Sequence, residues 1–114
     1  MKELIVCLTN RTAISHIKEL IERNDWERVL VLSNRTIANE FNVSRDIEMI
    51  LVNSSQATEE LVEEIMEKVK IKGMEVALNL FSGTGKEHMA ILAALLKKGL
   101  GIRLVKQGKE LKEI

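Results

Sequence analysis

The sequence predicts an α/β fold, a Rossmann-like three-layer α/β/α sandwich on a mainly parallel sheet with a C-terminal β-hairpin. Two observations carry that expectation. Short runs rich in Val, Ile and Leu alternate with segments whose apolar residues recur at helical spacing, the pattern of parallel strands joined by crossover helices. Each aliphatic run also ends in small polar residues, as strands do where they hand the chain to a helix.

Taken in order, Glu3 to Thr9 (ELIVCLT), Glu27 to Ser33 (ERVLVLS), Ile47 to Asn53 (IEMILVN) and Glu75 to Phe81 (EVALNLF) read as buried strands. Between them, Ile14, Ile17, Leu20 and Ile21 form one apolar stripe, and Leu61, Val62, Ile65, Met66 and Val69 form another. Both are amphipathic helices that cover a sheet. A shorter helix is expected over Thr36 to Phe41, and a longer one over Gly85 to Lys98, stopped by Gly99 and Gly101. Gly101 to Val105 reads as a fifth strand, Lys106 to Lys109 as a turn around Gly108, and Glu110 to Ile114 as its hairpin partner. The order is βαβαβαβα plus a hairpin, with right-handed crossovers expected on both faces. No linker, low-complexity tract or charge block interrupts it, so residues 1–114 are expected to form a single domain.

Composition narrows the function classes. A chain of 114 residues supports one hydrophobic core, and 46% hydrophobic with 30% charged residues is globular rather than disordered. Seventeen basic residues balance seventeen acidic ones, so no global field favours double-stranded nucleic acid or a membrane; any anion site must be local. The single cysteine, Cys7, cannot form an internal disulfide, and with two histidines it leaves too few ligands for a closed zinc site. Neither a metal nor a cofactor is expected. The longest apolar run, Met89 to Leu96, is far short of a membrane span, and a reducing cytoplasm is the expected location. Glu59, Glu60, Glu63, Glu64 and Glu67 read as the solvated face of the third helix. Trp26 is expected to pack, and His16, off the apolar stripe of the first helix, to face solvent.

In an open parallel sheet, ligands collect beyond the carboxyl ends of the strands, where strand order reverses. That edge carries Thr9, Asn10 and Arg11, then Ser33 to Arg35, Asn53 to Ser55, and Ser82 to Lys86, with no carboxylate until Glu87. Hydroxyls, amides and cations in that proportion describe an anion site. The segment FSGTGKEHM (Phe81 to Met89) is its centre. It is not a Walker A loop, because Leu80 stands where the first glycine belongs and Glu87 where the hydroxyl residue belongs. Nor is it a dinucleotide fingerprint, because His88 replaces the third glycine and the motif follows the fourth strand. What remains is physical: Gly83 and Gly85 permit close backbone approach, the first amides of the next helix point outward, and Ser82, Thr84 and Lys86 add donors. A capping box from Thr84 to Glu87 explains those two residues without a ligand, but not the paired glycines or the lysine. Thr9-Asn10-Arg11-Thr12 is echoed by Ser33-Asn34-Arg35-Thr36, and helix capping accounts for the second copy.

This element order, the polar loop after the first strand and the Gly-rich, lysine-containing turn after the fourth resemble the CRISPR-associated Rossmann-fold (CARF) domain. In that family the fourth turn reads like Gly-Gly-Thr-Lys or Gly-Gly-Ser-Lys before an apolar helix; Ser82-Gly83-Thr84-Gly85-Lys86-Glu87-His88-Met89-Ala90 is similar. Here Gly85 separates Thr84 from Lys86 and shifts the lysine by one residue. The resemblance covers essentially the whole chain. It implies binding of a cyclic oligoadenylate, tetra- or hexa-adenylate, the messenger of type III CRISPR immunity, across a homodimer interface. It places Thr9, Asn10 and Arg11, with Ser82, Gly83, Thr84, Gly85 and Lys86, over ribose and phosphate. The all-round apolar MAILAALL of Met89 to Leu96 independently favours a two-fold contact.

CARF domains usually precede an effector, and no effector follows the hairpin in these 114 residues. Two readings are therefore expected. One is a ring nuclease working without metal, by attack of a ribose 2′-hydroxyl on the adjacent phosphate. There Lys86 and Arg11 would stabilise charge, Thr9, Asn10, Ser82 and Thr84 would orient the ligand, and His88 would act as general acid. The other is a non-catalytic sensor or sequestering module. A third possibility from a different class, phosphate chemistry on Cys7, is disfavoured by its place inside a strand and its three-residue spacing from Arg11.

Overall fold

The computed structural model describes residues 2–114. Strands β1 (Glu3–Leu8), β2 (Arg28–Ser33), β3 (Glu48–Leu51), β4 (Glu75–Asn79), β5 (Gly101–Gln107) and β6 (Leu111–Glu113) alternate with helices α1 (Ile14–Glu22), α2 (Arg35–Glu40), α3 (Thr58–Lys68) and α4 (Gly85–Lys97). They form one six-stranded sheet in the order β3-β2-β1-β4-β5-β6, parallel throughout except for the terminal β5–β6 hairpin. Strand β1 is central and buried over all six residues, which is why its sequence is an unbroken aliphatic run rather than an alternation.

The alternating side chains feed two cores. On one face Ile5, Cys7, Leu30, Leu32, Val76 and Leu78 meet α3 and α4 through Leu61, Ile65, Ile91 and Leu95. On the other, Leu4, Val6, Leu8, Val29 and Val31 meet α1 and α2 through Ile17, Leu20, Ile21 and Ile37. The three-layer α/β/α sandwich follows directly from that two-sided pattern.

Strand order reverses between β1 and β4, which pair as Leu4↔Ala77, Ile5↔Leu78 and Val6↔Asn79. This is the switch point, and it brings the loops after the first and fourth strands side by side. Element ends differ from expectation where tertiary pairing decides them. β3 contracts to Glu48–Leu51 because its one neighbour, β2, supplies partners only from Leu30 to Ser33. β5 extends through Gln107, since pairing with β6 carries it past Val105, and the turn moves to Gly108, whose amide donates to the Glu110 carbonyl. α2 begins at Arg35 because Asn34 caps it, accepting from the Ile37 amide at 2.9 Å. A one-turn 3-10 helix, Arg11–Ala13, precedes α1.

His16 departs from its expected solvent exposure. Its ring is half-buried and stacked on Phe81, with centroids 3.9 Å apart and planes 22° from parallel. The cause is long-range: Phe81 leaves β4 on the face that α1 covers.

Candidate functional site

Ser82 joins the two loops at the switch point. Its buried hydroxyl accepts from the amides of Thr9 (3.0 Å) and Asn10 (3.3 Å) and donates to the Asn10 side-chain oxygen. One hydroxyl thus uses its full capacity of one donor and two acceptors and fixes the turn after β4 against the loop after β1. The Asn10 side chain also donates to Thr12 Oγ1 at 2.7 Å and makes no cap bond to the 3-10 turn. Asn34 in the echoed motif both caps α2 and reaches the Thr9 carbonyl at 3.3 Å.

Next in the chain, Gly83 adopts φ 114°, a conformation L side chains rarely hold. A Cβ there would lie 2.7 Å from Cys7 Sγ, 2.9 Å from Glu87 Oε1 and 3.0 Å from His88 Nε2. Gly85 has no such constraint; a Cβ on it would meet nothing within 4 Å. The two glycines therefore do different work: Gly83 is required by packing and backbone, and Gly85 keeps the start of α4 open.

Thr84 and Glu87 complete the capping box. The Glu87 amide donates to Thr84 Oγ1 at 3.1 Å, and the Thr84 amide donates to Glu87 Oε1 at 2.9 Å. Glu87 does more than cap. It is 6% exposed and also accepts from Thr9 Oγ1 (2.8 Å) on the first loop and Ser54 Oγ (2.5 Å) on the third. Burial opposes its charge, but the bonds from Ser54, Thr84 and Thr9 outweigh that and hold its carboxyl below the ordinary carboxylate value. The centre of the edge is thus a carboxylate that the chain itself satisfies. An incoming anion has to sit outside it.

The outer layer retains the chemistry for an anion. The capping box satisfies the amides of Thr84 and Glu87, leaving those of Gly85 and Lys86 at the first two positions of α4 without an intrahelical acceptor. Gly85 and Thr84 are exposed, and the positive end of a 13-residue helix dipole lies behind them. Both candidate cations are engaged by the chain: Lys86 Nζ donates to the Gln56 carbonyl, and Arg11 forms a two-pronged pair with Glu40, at 2.7 Å and 2.5 Å. His88 Nε2 lies 2.8 Å from the Ser82 carbonyl. A carbonyl only accepts, so Nε2 carries the proton and holds it there.

The expected site residues Thr9, Asn10, Ser82, Gly83, Thr84, Gly85, Lys86 and His88 therefore gather at one edge, while Arg11 is drawn to α2. Ser54 and Gln56 join them from the loop after β3, and Phe81, 61% exposed, stands at the rim. Cys7 is 1% exposed, and burial, with the charge of Glu87, pushes its thiol up to about 12; at neutral pH it stays a thiol, not a nucleophile. Among the described residues no group of three or more His, Cys, Asp or Glu side chains is placed to hold a metal ion, and no helix is long and apolar enough to cross a membrane. Neither a protein-family model nor a curated protein matches the chain.

Proposed function

We propose that the protein binds a cyclic oligoadenylate, tetra- or hexa-adenylate, across the two-fold axis of a homodimer, as its resemblance to CARF domains implies. The observation that carries this reading is the pairing of β1 with β4. It sets the Thr9–Arg11 loop against the Ser82–Lys86 turn, and Ser82 ties the two together. Phosphate would rest on the outward amides of Gly85 and Lys86, with the Lys86 ammonium moving from the Gln56 carbonyl to the ligand.

The helix that follows supports a two-fold partner. Met89 and Leu96 of α4 are 64% and 65% exposed, and Leu92 and Ala93 are only partly buried. Spaced i, i+3, i+4 and i+7, they form a single apolar stripe that the terminal hairpin leaves uncovered. The stripe begins one turn beyond Gly85. An isologous contact along it would bring two anion loops to one side of the axis, the arrangement a symmetric cyclic ligand needs.

Between cleavage and simple capture, the side-chain engagements favour capture. In the nuclease reading Lys86 and Arg11 stabilise the phosphorane, Thr9, Asn10, Ser82 and Thr84 orient the ring, and His88 protonates the leaving oxygen. Yet the Thr9 and Ser82 hydroxyls and the His88 Nε2 proton are already committed to Glu87, Asn10 and the Ser82 carbonyl. A sensor or sequestering module needs none of them free.

One experiment addresses both parts. The protein is melted with and without cyclic tetra- and hexa-adenylate in the presence of a metal chelator, and the ligand is then chromatographed. Saturation at 100 times Kd adds about 2.7 kcal/mol, roughly a 10 °C rise for a domain of this size. An intact ring after long incubation is the expected product, linear oligoadenylate would establish cleavage, and an unchanged melting temperature with either ring would refute the proposed ligand.

A further inference from the structure

Phe81 is a conspicuous use of a scarce residue. The chain has only two phenylalanines, one tryptophan and no tyrosine. Phe41 and Trp26 are buried in the core, each 6% exposed, whereas Phe81 is 61% exposed. The residue is also held firmly. Its backbone amide donates to Asn79 Oδ1 at 3.0 Å, Asn79 Nδ2 donates to the Val105 carbonyl at 2.9 Å, and the next residue is the pinned Ser82.

His16 covers one face of the ring in the 3.9 Å stack, and the His16 Nε2 atom is buried without a hydrogen-bond partner among the described residues. An arrangement that buries an unpartnered ring nitrogen to support an exposed phenyl group works against folding stability, and such violations concentrate at functional positions. Phe81 also lines a mostly apolar groove of about 260 Å³ between β4 and β5, together with Leu80, Leu104, Lys106 and Ile114. That is below the roughly 300–1,000 Å³ of clefts that enclose whole drug-sized ligands, a size suited to a single ring system.

We infer that Phe81, backed by His16, is a stacking shelf for one nucleobase of the ligand whose phosphate lies on the Ser82–Lys86 turn. The inference rests on the cyclic-nucleotide reading for the identity of the ligand, but its geometry is its own: a two-ring stack, one residue from the phosphate turn, stands at a base-sized groove that Phe81 lines. Stacking on an aromatic ring tolerates any base, so the shelf adds affinity while the groove walls select ring size. Phe81 then acts as a binding residue.

The test separates shelf, ligand and partner. Wild type, Phe81→Leu and Phe81→Trp are titrated with cyclic tetra-adenylate, adenosine 5′-monophosphate and ribose 5-phosphate, and the oligomeric state of each variant is measured by light scattering. The expected result is that Phe81→Leu loses about 10-fold in affinity for both base-bearing ligands, binds ribose 5-phosphate as wild type does, and keeps its oligomeric state. Phe81→Trp should retain affinity and show fluorescence quenching on binding that the buried Trp26 of wild type does not. Equal binding of all ligands by Phe81→Leu and wild type would overturn the shelf and leave the cyclic-nucleotide reading standing. Adenosine monophosphate binding lost in Phe81→Leu, with no binding of the ring by wild type, would sustain the shelf and remove the cyclic ligand. No preference of wild type for adenosine monophosphate over ribose 5-phosphate would also overturn the shelf, as would a change of oligomeric state in Phe81→Leu, which would make Phe81 a protein contact.

Discussion

Removing the Glu87 carboxylate should destabilise the protein more than any ordinary helix cap does. Replacing Glu87 by Ala deletes the acceptor of three hydrogen bonds, from the Thr84 amide, Thr9 Oγ1 and Ser54 Oγ. A lost cap alone costs about 0.5–2 kcal/mol, and each bond to a charged group contributes about 1.5–3 kcal/mol. Thr84 is exposed and Thr9 and Ser54 are half-buried, so water recovers part of this; the expected loss is about 3 kcal/mol, a fall in melting temperature of about 12 °C for a domain of this length. Glu87→Gln keeps the shape and one acceptor oxygen, and Ser54 can turn to accept from the new amide, so its loss should be nearer about 1 kcal/mol. Acidity supplies an internal control. The folded carboxyl lies below its ordinary value of 4.5, so its contribution is complete above that pH and is lost as pH falls through the lowered value. Thermal melts by circular dichroism across that range should show the gap between wild type and Glu87→Gln narrowing on acidification. A Glu87→Ala melting point within about 2 °C of wild type, on the same scale, would refute the reasoning, as would a gap that ignores pH.

The two glycines should separate sharply in urea denaturation. Gly83→Ala forces a side chain to φ 114° and against Cys7 Sγ, costing about 1–3 kcal/mol for the backbone alone, while Gly85→Ala, with open space and a helical position, should be neutral or stabilise by up to about 1 kcal/mol. On α4, the double substitution Met89→Glu with Leu96→Glu should convert the proposed dimer to monomer in light scattering and barely move the monomer's melting temperature, since both side chains are mostly exposed. Dimer persisting in that variant would place the two-fold contact elsewhere.

The fold was legible because its signals are local or periodic. Six consecutive buried residues in β1 announce a central strand, the stripes of α1 and α3 announce their buried faces, and the turn after β4 announces a helix start through Thr84 and Glu87. The switch point was less legible: alternating strands and helices also allow the order 2-1-3-4-5, in which β1 lies beside β3, so the alternation alone does not set β1 against β4, and only the resemblance of the two loops to those of CARF domains brought them together. Strand ends were not legible, because Leu51 and Gln107 stop or continue according to partners far away in sequence. His16 lacked a signal for the same reason: the first helix gives its angle relative to its own stripe, not the presence of Phe81, 65 positions further on.

Glu87 is the instructive case, because both descriptions of it are correct at different ranges. Within four residues it is the distal half of a capping box, and the sequence says so. Across 33 and 78 residues it gathers hydroxyls from the loops after β3 and β1, which no local pattern records. The consequence reaches the proposed ligand. The Thr9 and Ser54 hydroxyls are already turned inward on the Glu87 carboxylate and that of Ser82 on the Asn10 side chain, so this interior layer sets the loop geometry and cannot also grip an anion. In the proposed complex, contacts to the anion would come from the Gly85 and Lys86 amides, the exposed Thr84 hydroxyl and cations that leave their resting partners, Lys86 from Gln56 and Arg11 from Glu40. Arg11 is 64% exposed and its pair sits in water, where such pairs contribute little, so releasing it is cheap; Lys86, half-buried against a carbonyl, is the costlier cation to move and the one whose movement would report that the site is filled.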